Sequence, residues 1–115
     1  ELVAVTGAKS VNYEDKMQCC GGNIIGVDEN VAFRIAGRKL DHIKDVAADA
    51  INVVCPLCDI VYDRSQKIIG RKLNRNYEIP VLFYPQILGL ALGINQEDLG
   101  FEMNRVNVSG LLSKI

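Results

Sequence analysis

Ile51-Asn52-Val53-Val54-Cys55-Pro56-Leu57-Cys58 is the stretch that decides the fold of this chain. Its first half is a short β-type run, and it is mostly apolar, as a central strand covered on both faces would be. Pro56 follows where a helix starts, because proline suits the first helical position, whose N–H has no partner anyway. A strand that hands the chain directly to a helix is the repeating unit of α/β layer structures with a parallel sheet.

Two further β-type runs flank it at a distance, Ser10-Val11-Asn12-Tyr13 and Val81-Leu82-Phe83-Tyr84. Between the first run and the second, Asp28 is a good N-cap, and apolar residues recur at Val31, Ile35, Ala36, Leu40, Ile43, Val46 and Ala47. Beyond Pro56, Leu57, Ile60, Val61, Ile68 and Leu73 mark the inner side of a second helix that ends near residues 74–76. A third helix follows Pro85, through Ile87, Leu88, Leu90 and Leu92, and stops at Gly93. The expected fold is α/β. It is a small layered domain with a mainly parallel sheet of about three strands (10–13, 51–54 and 81–84) and helices at about 29–47, 57–73 and 86–93. Residues 101–108 read as an irregular or extended tail, and Ser109 as the cap of a last turn through Leu111 and Leu112.

The 115 residues suffice for one core, and 49% hydrophobic with 23% charged residues describes a globular chain rather than a disordered one. A net charge of −1 leaves no electrostatic footprint for nucleic acid or an anionic membrane. The longest apolar run, Ile87 to Ile94, is broken by two glycines and falls well short of the roughly 20 residues of a membrane span. It is expected as a buried helix. Glu1 leads into Leu2-Val3-Ala4-Val5 as if into the tail of an amphipathic helix, so the start is expected to be a cut inside a larger protein. Nothing indicates secretion, and an apolar chain needs no disulfide staples. The four cysteines are therefore expected in the reducing cytoplasm, where paired cysteines mean metal or redox chemistry.

Cys19-Cys20 follows the first expected strand, and Cys55 ends the second. The carboxyl ends of parallel strands lie along one edge, the usual ligand edge, so both pairs are expected to converge. Cys55 and Cys58 sit at a helix N-terminus, where free amides and the macrodipole favour thiolates. Adjacent cysteines in a regular strand would point to opposite faces. Gly21-Gly22 relieves this by letting the backbone bend and come close to something bulky. Four uses compete for these sulfurs. A structural zinc site normally takes two Cys-x-x-Cys knuckles, and here one pair is adjacent. A Cys55/Cys58 dithiol leaves Cys19-Cys20 unexplained. Inert core cysteines fit poorly with two tight pairs. An iron–sulfur cluster, which takes several thiolates on bent backbone, accounts for all four.

Other polar residues have plainer expectations. His42 lies off the apolar stripe and is expected in solvent; Asp59 and Asp63 suit the start of their helix. Lys16 is placed to offset thiolate charge or simply to stay in water, and Gln86 to bond a sulfur or substrate or to start its helix.

With these residues in view, Cys19-Cys20-Gly21, the intervening residues 22–54 and Cys55-x-x-Cys58 resemble the latter part of the CCG cysteine-rich domain. That module occurs in the B subunit of heterodisulfide reductases. The resemblance extends over residues 9–106, through Tyr13-Glu14-Asp15-Lys16, Tyr62, Gln66, Ile79-Pro80-Val81 and the segment Tyr84 to Gly93. It implies a 4Fe-4S cluster of non-cubane build, through which catalysis runs, with Cys19, Cys20, Cys55 and Cys58 as ligands and a fifth cysteine upstream of Glu1. By the same resemblance, residues 1–115 are the C-terminal part of such a domain, truncated at the N-terminus, in a larger oxidoreductase. The implied function is electron transfer to, and reductive cleavage of, a disulfide such as the coenzyme M–coenzyme B heterodisulfide. Its partners would be other subunits of the complex and the disulfide, with no nucleic acid and no direct membrane insertion. The alternative is a structural zinc or electron-relay module of a succinate dehydrogenase- or glycolate oxidase-type complex. The isolated piece is expected to be inactive, to hold zinc or no metal, and to self-associate through its sheet edge.

Overall fold

Two parallel strands form the sheet of the computed structural model, which describes residues 1–114. Ile51–Val53 (β1) pairs with Val81–Phe83 (β2), Ile51 facing Val81, Asn52 facing Leu82 and Val53 facing Phe83. Alternation along the pleat sends Ile51, Val53 and Val81 into the main core and Leu82 into a smaller cluster with Phe101 and Val108. The mixed helix-and-sheet class is as expected, and the sheet is parallel.

Helices cover both faces. Leu2–Val5 (α1) is one turn, pinned by the Tyr84 hydroxyl, which donates to Leu2 O at 2.9 Å. Glu29–Asp45 (α2) starts at Asp28, whose carboxylate accepts from Val31 N at 3.2 Å, a cap worth about 1 kcal/mol. It buries Ala32, Phe33, Ala36, Gly37, Leu40 and Ile43, so Ala32 rather than Val31 begins the inner stripe. It stops two residues earlier than expected. Ala47 adopts φ +52, and the N–H groups of Ala47 and Ala48 reach back to Lys44 O and Ile43 O. This is a Schellman stop made without the usual glycine.

The expected 57–73 helix is Pro56–Asp59 (α3), a π-helical segment Ile60–Arg64, and Gln66–Leu73 (α4). The wider π turn shifts the phase of the residues beyond it. Val61, Tyr62 and Ile69 are buried, whereas Ile60 and Ile68, read as inner from a uniform 3.6 period, lie 42–44% exposed. Gln66 compensates for the irregular turn. Its Nε2 donates to Tyr62 O (2.8 Å) and Ile79 O (2.9 Å), and its Oε1 accepts from Ile79 N (2.7 Å). One buried amide thereby ties the π segment to the entry of β2.

Tyr84–Ala91 (α5) follows β2 directly, and Ser109–Leu112 (α6) closes the chain. Three short 3-10 turns complete the elements, Gly22–Ile24, Gln96–Leu99 and Phe101–Met103. Three expectations are corrected. No strand forms at 10–13, where Lys16 Nζ gathers Ser10 Oγ (2.8 Å) and Asn12 Oδ1 (3.4 Å) into a local turn instead of leaving them to pair with the sheet. The Ile87–Ile94 run is not buried throughout, since Leu92 is 70% and Ile94 45% exposed beyond the helix end. Ser109 is the first residue of the last turn and not its cap; Val108 stands at the N-cap without a side-chain cap bond, and Asn107 Oδ1 accepts from Ser109 N at 2.8 Å.

Gln66→Leu keeps the volume and strands three buried backbone groups, each costing about 1–3 kcal/mol when unpaired. Urea unfolding is expected to show a loss on the order of 3 kcal/mol with an unchanged slope.

Candidate metal centre

Cys55 leaves β1 in an extended conformation (φ −79, ψ 131) and serves as the residue before α3, its carbonyl accepting from Cys58 N (3.0 Å) and Asp59 N (3.3 Å). Cys58 therefore stands one helical turn above Cys55. The other pair arrives from a loop. Cys20 turns into the main core, 3% exposed, while Cys19 stays outside. Gly21 takes φ +79 after them, a left-handed step that glycine makes without steric cost. Gly22 then donates its N–H to Cys20 Sγ at 3.3 Å. A methyl group on Gly22 would meet Val61 Cγ2 at 3.1 Å, Leu57 Cβ at 3.2 Å and Cys20 Sγ at 3.3 Å. The bulky object that the glycine pair approaches is thus the Cys55–Cys58 helix itself.

The two pairs converge. Cys58 feels the charges of both Cys20 and Cys55, and all four cysteines are free of disulfides. Cys20 is buried in the main core with Cys58 packed against its edge, while Cys19 and Cys55 are exposed. Among the described residues, no three Cys, His, Asp or Glu side chains are grouped so as to hold a metal ion.

The sulfurs differ in their electrostatics. The N–H groups of Cys58 and Leu57 point at Cys55 and hold its thiol below the ordinary cysteine value, in full contact with water. Burial, then the hydrogen bond to Cys20 and the charges of Cys20 and Cys55, push Cys58 up to about 12. A cation faces this set, and it is Lys39 rather than Lys16. Lys39 Nζ donates to Lys16 O (3.2 Å) and Gln18 O (2.7 Å), and it lies 5.9 Å from the centroid of the Tyr62 ring. Burial lowers the Lys39 pKa, opposed by the negative charge of Cys58, Cys20, Asp15 and Cys19. Tyr62 lies beneath, 2% exposed, and its hydroxyl has no hydrogen-bond partner. Burial above all keeps that phenol protonated far into the alkaline range.

Lys39 belongs to a second face of α2 that the core stripe conceals. Ile35, Lys39 and His42 fall at i, i+4 and i+7, so one helix face meets residues 15–21 at three points. The Ile35 side chain packs over Gly21, Lys39 takes the two carbonyls, and His42 Nδ1 lies 2.8 Å from Asp15 Oδ2, a close contact rather than a straight hydrogen bond. His42 is therefore a loop anchor, with its side chain 23% exposed, and not a solvated residue. Gln86 touches no sulfur. Its Oε1 accepts from Phe83 N (3.0 Å), and its Nε2 donates to Leu99 O (3.0 Å) and Asn104 Oδ1 (3.1 Å). Asp63 is buried and accepts from Arg105 N (2.8 Å) and Val106 N (2.9 Å), which ties the 101–108 tail to the π segment.

A cysteine-bearing strand end, a Cys-x-x-Cys helix start and a Cys-Cys-Gly-Gly loop laid against it are the marks of a cysteine-rich module. The chain belongs to the CCG cysteine-rich domain family, whose profile matches residues 1–62 and thus all four cysteines. It is similar to the B subunit of the ferredoxin:CoB-CoM heterodisulfide reductase of Methanosarcina mazei, at 44% identity over 117 aligned positions. That alignment covers 100% of this chain and 39% of the relative. The B subunit of the ferredoxin/F(420)H(2)-dependent CoB-CoM heterodisulfide reductase of Methanosarcina acetivorans is 42% identical, with the same coverage of 100% and 39%. The 8-methylmenaquinol:fumarate reductase membrane anchor subunit of Wolinella succinogenes is 28% identical over 96% of this chain and 39% of its own length. The chain thus spans about two-fifths of the length of these relatives. Among its described residues, no helix is long and apolar enough to cross a membrane.

In the metal-free protein, alkylation by iodoacetamide is expected to label Cys55 first, with a rate midpoint below that of an ordinary thiol, because its thiolate persists to lower pH. Cys58 is expected to resist labelling until strongly alkaline pH. Peptide mass spectrometry across a pH series measures both.

Proposed function

We propose that this chain is the iron–sulfur redox module of the B subunit of a heterodisulfide reductase-type complex. Cys19, Cys20, Cys55 and Cys58 are its ligands, in a longer polypeptide that adds a fifth cysteine upstream of Glu1. The observation that carries this reading is the Cys19-Cys20 loop laid through Gly22 against the helix start that bears Cys55 and Cys58. The donor types fit such a group, since several soft sulfurs on bent backbone are what a polynuclear cluster takes. The same sulfurs are not gathered around one point, as a structural zinc ion requires. When bound, the group supplies one-electron storage next to a disulfide, whose cleavage consumes two electrons and two protons and yields two thiols.

The chain's own residues prepare the place. The Cys58 and Leu57 amides stabilise negative charge on Cys55, the Gly22 N–H does the same for Cys20, and Lys39 offsets what remains. Cys19 and Cys55 face outward, which leaves the site open to a disulfide such as the coenzyme M–coenzyme B heterodisulfide and to the other subunits of a cytoplasmic complex. A second reading, an electron relay in a fumarate reductase- or succinate dehydrogenase-type complex, is supported by the Wolinella succinogenes relative.

The full-length protein, purified without oxygen, is expected to contain iron and acid-labile sulfide. Cys20→Ser is expected to remove most of both. Zinc without sulfide would overturn the proposal, and a loaded protein that never reduces a disulfide from an artificial electron donor would favour the relay.

A further inference from the structure

Tyr62 differs from the other tyrosines whose hydroxyls reach into the fold. Tyr77 donates to Gly37 O (3.3 Å) and Asp41 Oδ1 (2.9 Å), and Tyr84 to Leu2 O (2.9 Å). The Tyr62 hydroxyl is buried and has no partner, although a buried, unmet donor is costly and is normally satisfied. Tyr62 shares the main core with Cys20, and Cys58 and Tyr13 pack against the same cluster, with Lys39 over the face of its ring. It lies in the π segment, buried beside Val61.

We propose that the Tyr62 hydroxyl is a positioning residue that donates a hydrogen bond to the sulfur-ligated group held by the four cysteines and thereby raises its reduction potential. The inference rests on the iron–sulfur reading above. A donor to sulfur favours the reduced, more negative state, so it moves the midpoint upward. The unpaired phenol of the metal-free chain and the electron-rich sulfurs of the loaded site are complementary.

The test uses the full-length protein loaded anaerobically with iron and sulfide. Tyr62→Phe is expected to keep wild-type iron and sulfide while its midpoint falls, on the order of tenfold fewer reduced centres at fixed potential, or about 59 mV for a one-electron couple. Placing 3-fluorotyrosine at position 62, a more acidic phenol and a stronger donor, is expected to raise the midpoint; it decides the matter if the Phe variant does not load. In the metal-free protein, Tyr62→Phe should melt no lower than wild type, because it removes an unpaired hydroxyl. Identical midpoints in the loaded proteins, or a lower melting temperature without metal, would overturn the assignment while leaving the cluster reading intact. Wild type without iron and sulfide would overturn both.

Discussion

The side-chain-free position at Gly22 is the contact on which the cysteine site depends. It lets a loop backbone lie 3.1–3.3 Å, measured from where a methyl would stand, from Val61, Leu57 and Cys20. Real carbon contacts relax toward about 3.5–4.0 Å, so a side chain here requires the loop or these neighbours to give by a few tenths of an ångström. With the loop down, Cys20 enters the main core beside Val61 and Tyr62, and Cys58 gains both a neighbour and its burial. The burial that raises the Cys58 pKa lies at this contact, between Gly22 and the Leu57–Val61 side of the helix. α2 then grips the far side of the loop through Ile35, Lys39 and His42, so the cysteines are held between two elements rather than carried by one.

The site is polarised across its depth. Cys55 is wet and easily ionised; Cys58 is covered and stays protonated when no metal is bound. Loading a thiolate-ligated group must therefore remove a proton from Cys58 against burial, and the driving force for that comes from metal–sulfur bonds rather than from the protein. Lys39 moderates the cost of the resulting charge. It is not free to wander, because two loop carbonyls fix its ammonium, and any change in loop conformation changes the field at the sulfurs.

Much of this was written in the sequence where a single local rule governs. Asp28 begins α2 as an N-cap should, Pro56 begins α3, and the parallel pairing of 51–53 with 81–83 matches strands alternating with helices. The approach of the Cys19-Cys20 loop to the Cys55 helix was expected for another reason, two neighbouring strand ends, whereas only the second strand forms and Gly22 makes the contact instead. The features that stayed hidden depend on tertiary context. Ser10–Tyr13 looks like a strand but lies beside Lys16, which draws its polar side chains together. Ala47 stops a helix in a left-handed conformation that sequence rules reserve for glycine or asparagine. Lys39 and His42 were lost among ordinary surface charges because the Ile35–His42 spacing shows only once the loop is laid across it. Gln86 is a helix-start residue, as it looked, accepting from Phe83 N, and it also reaches Leu99 O and Asn104; Asp63 instead spends its carboxylate on the backbone of Arg105 and Val106, far along the chain.

The π segment has a further consequence, for the tolerance of this region to changes in length. Ile60–Arg64 stands between Cys58 and Gln66, the first packed against the main core and the second clamped to residue 79. A π turn holds about one residue more than the α turn it replaces, so it absorbs that residue while the helix on either side keeps its phase. Deleting one residue here would restore a regular helix with Gln66 still directed at Ile79, whereas inserting one would turn Gln66 away by about 100°. The stretch is therefore a buffer that has already taken up one residue of length. Among homologues, a one-residue deletion should be tolerated here and an insertion should not.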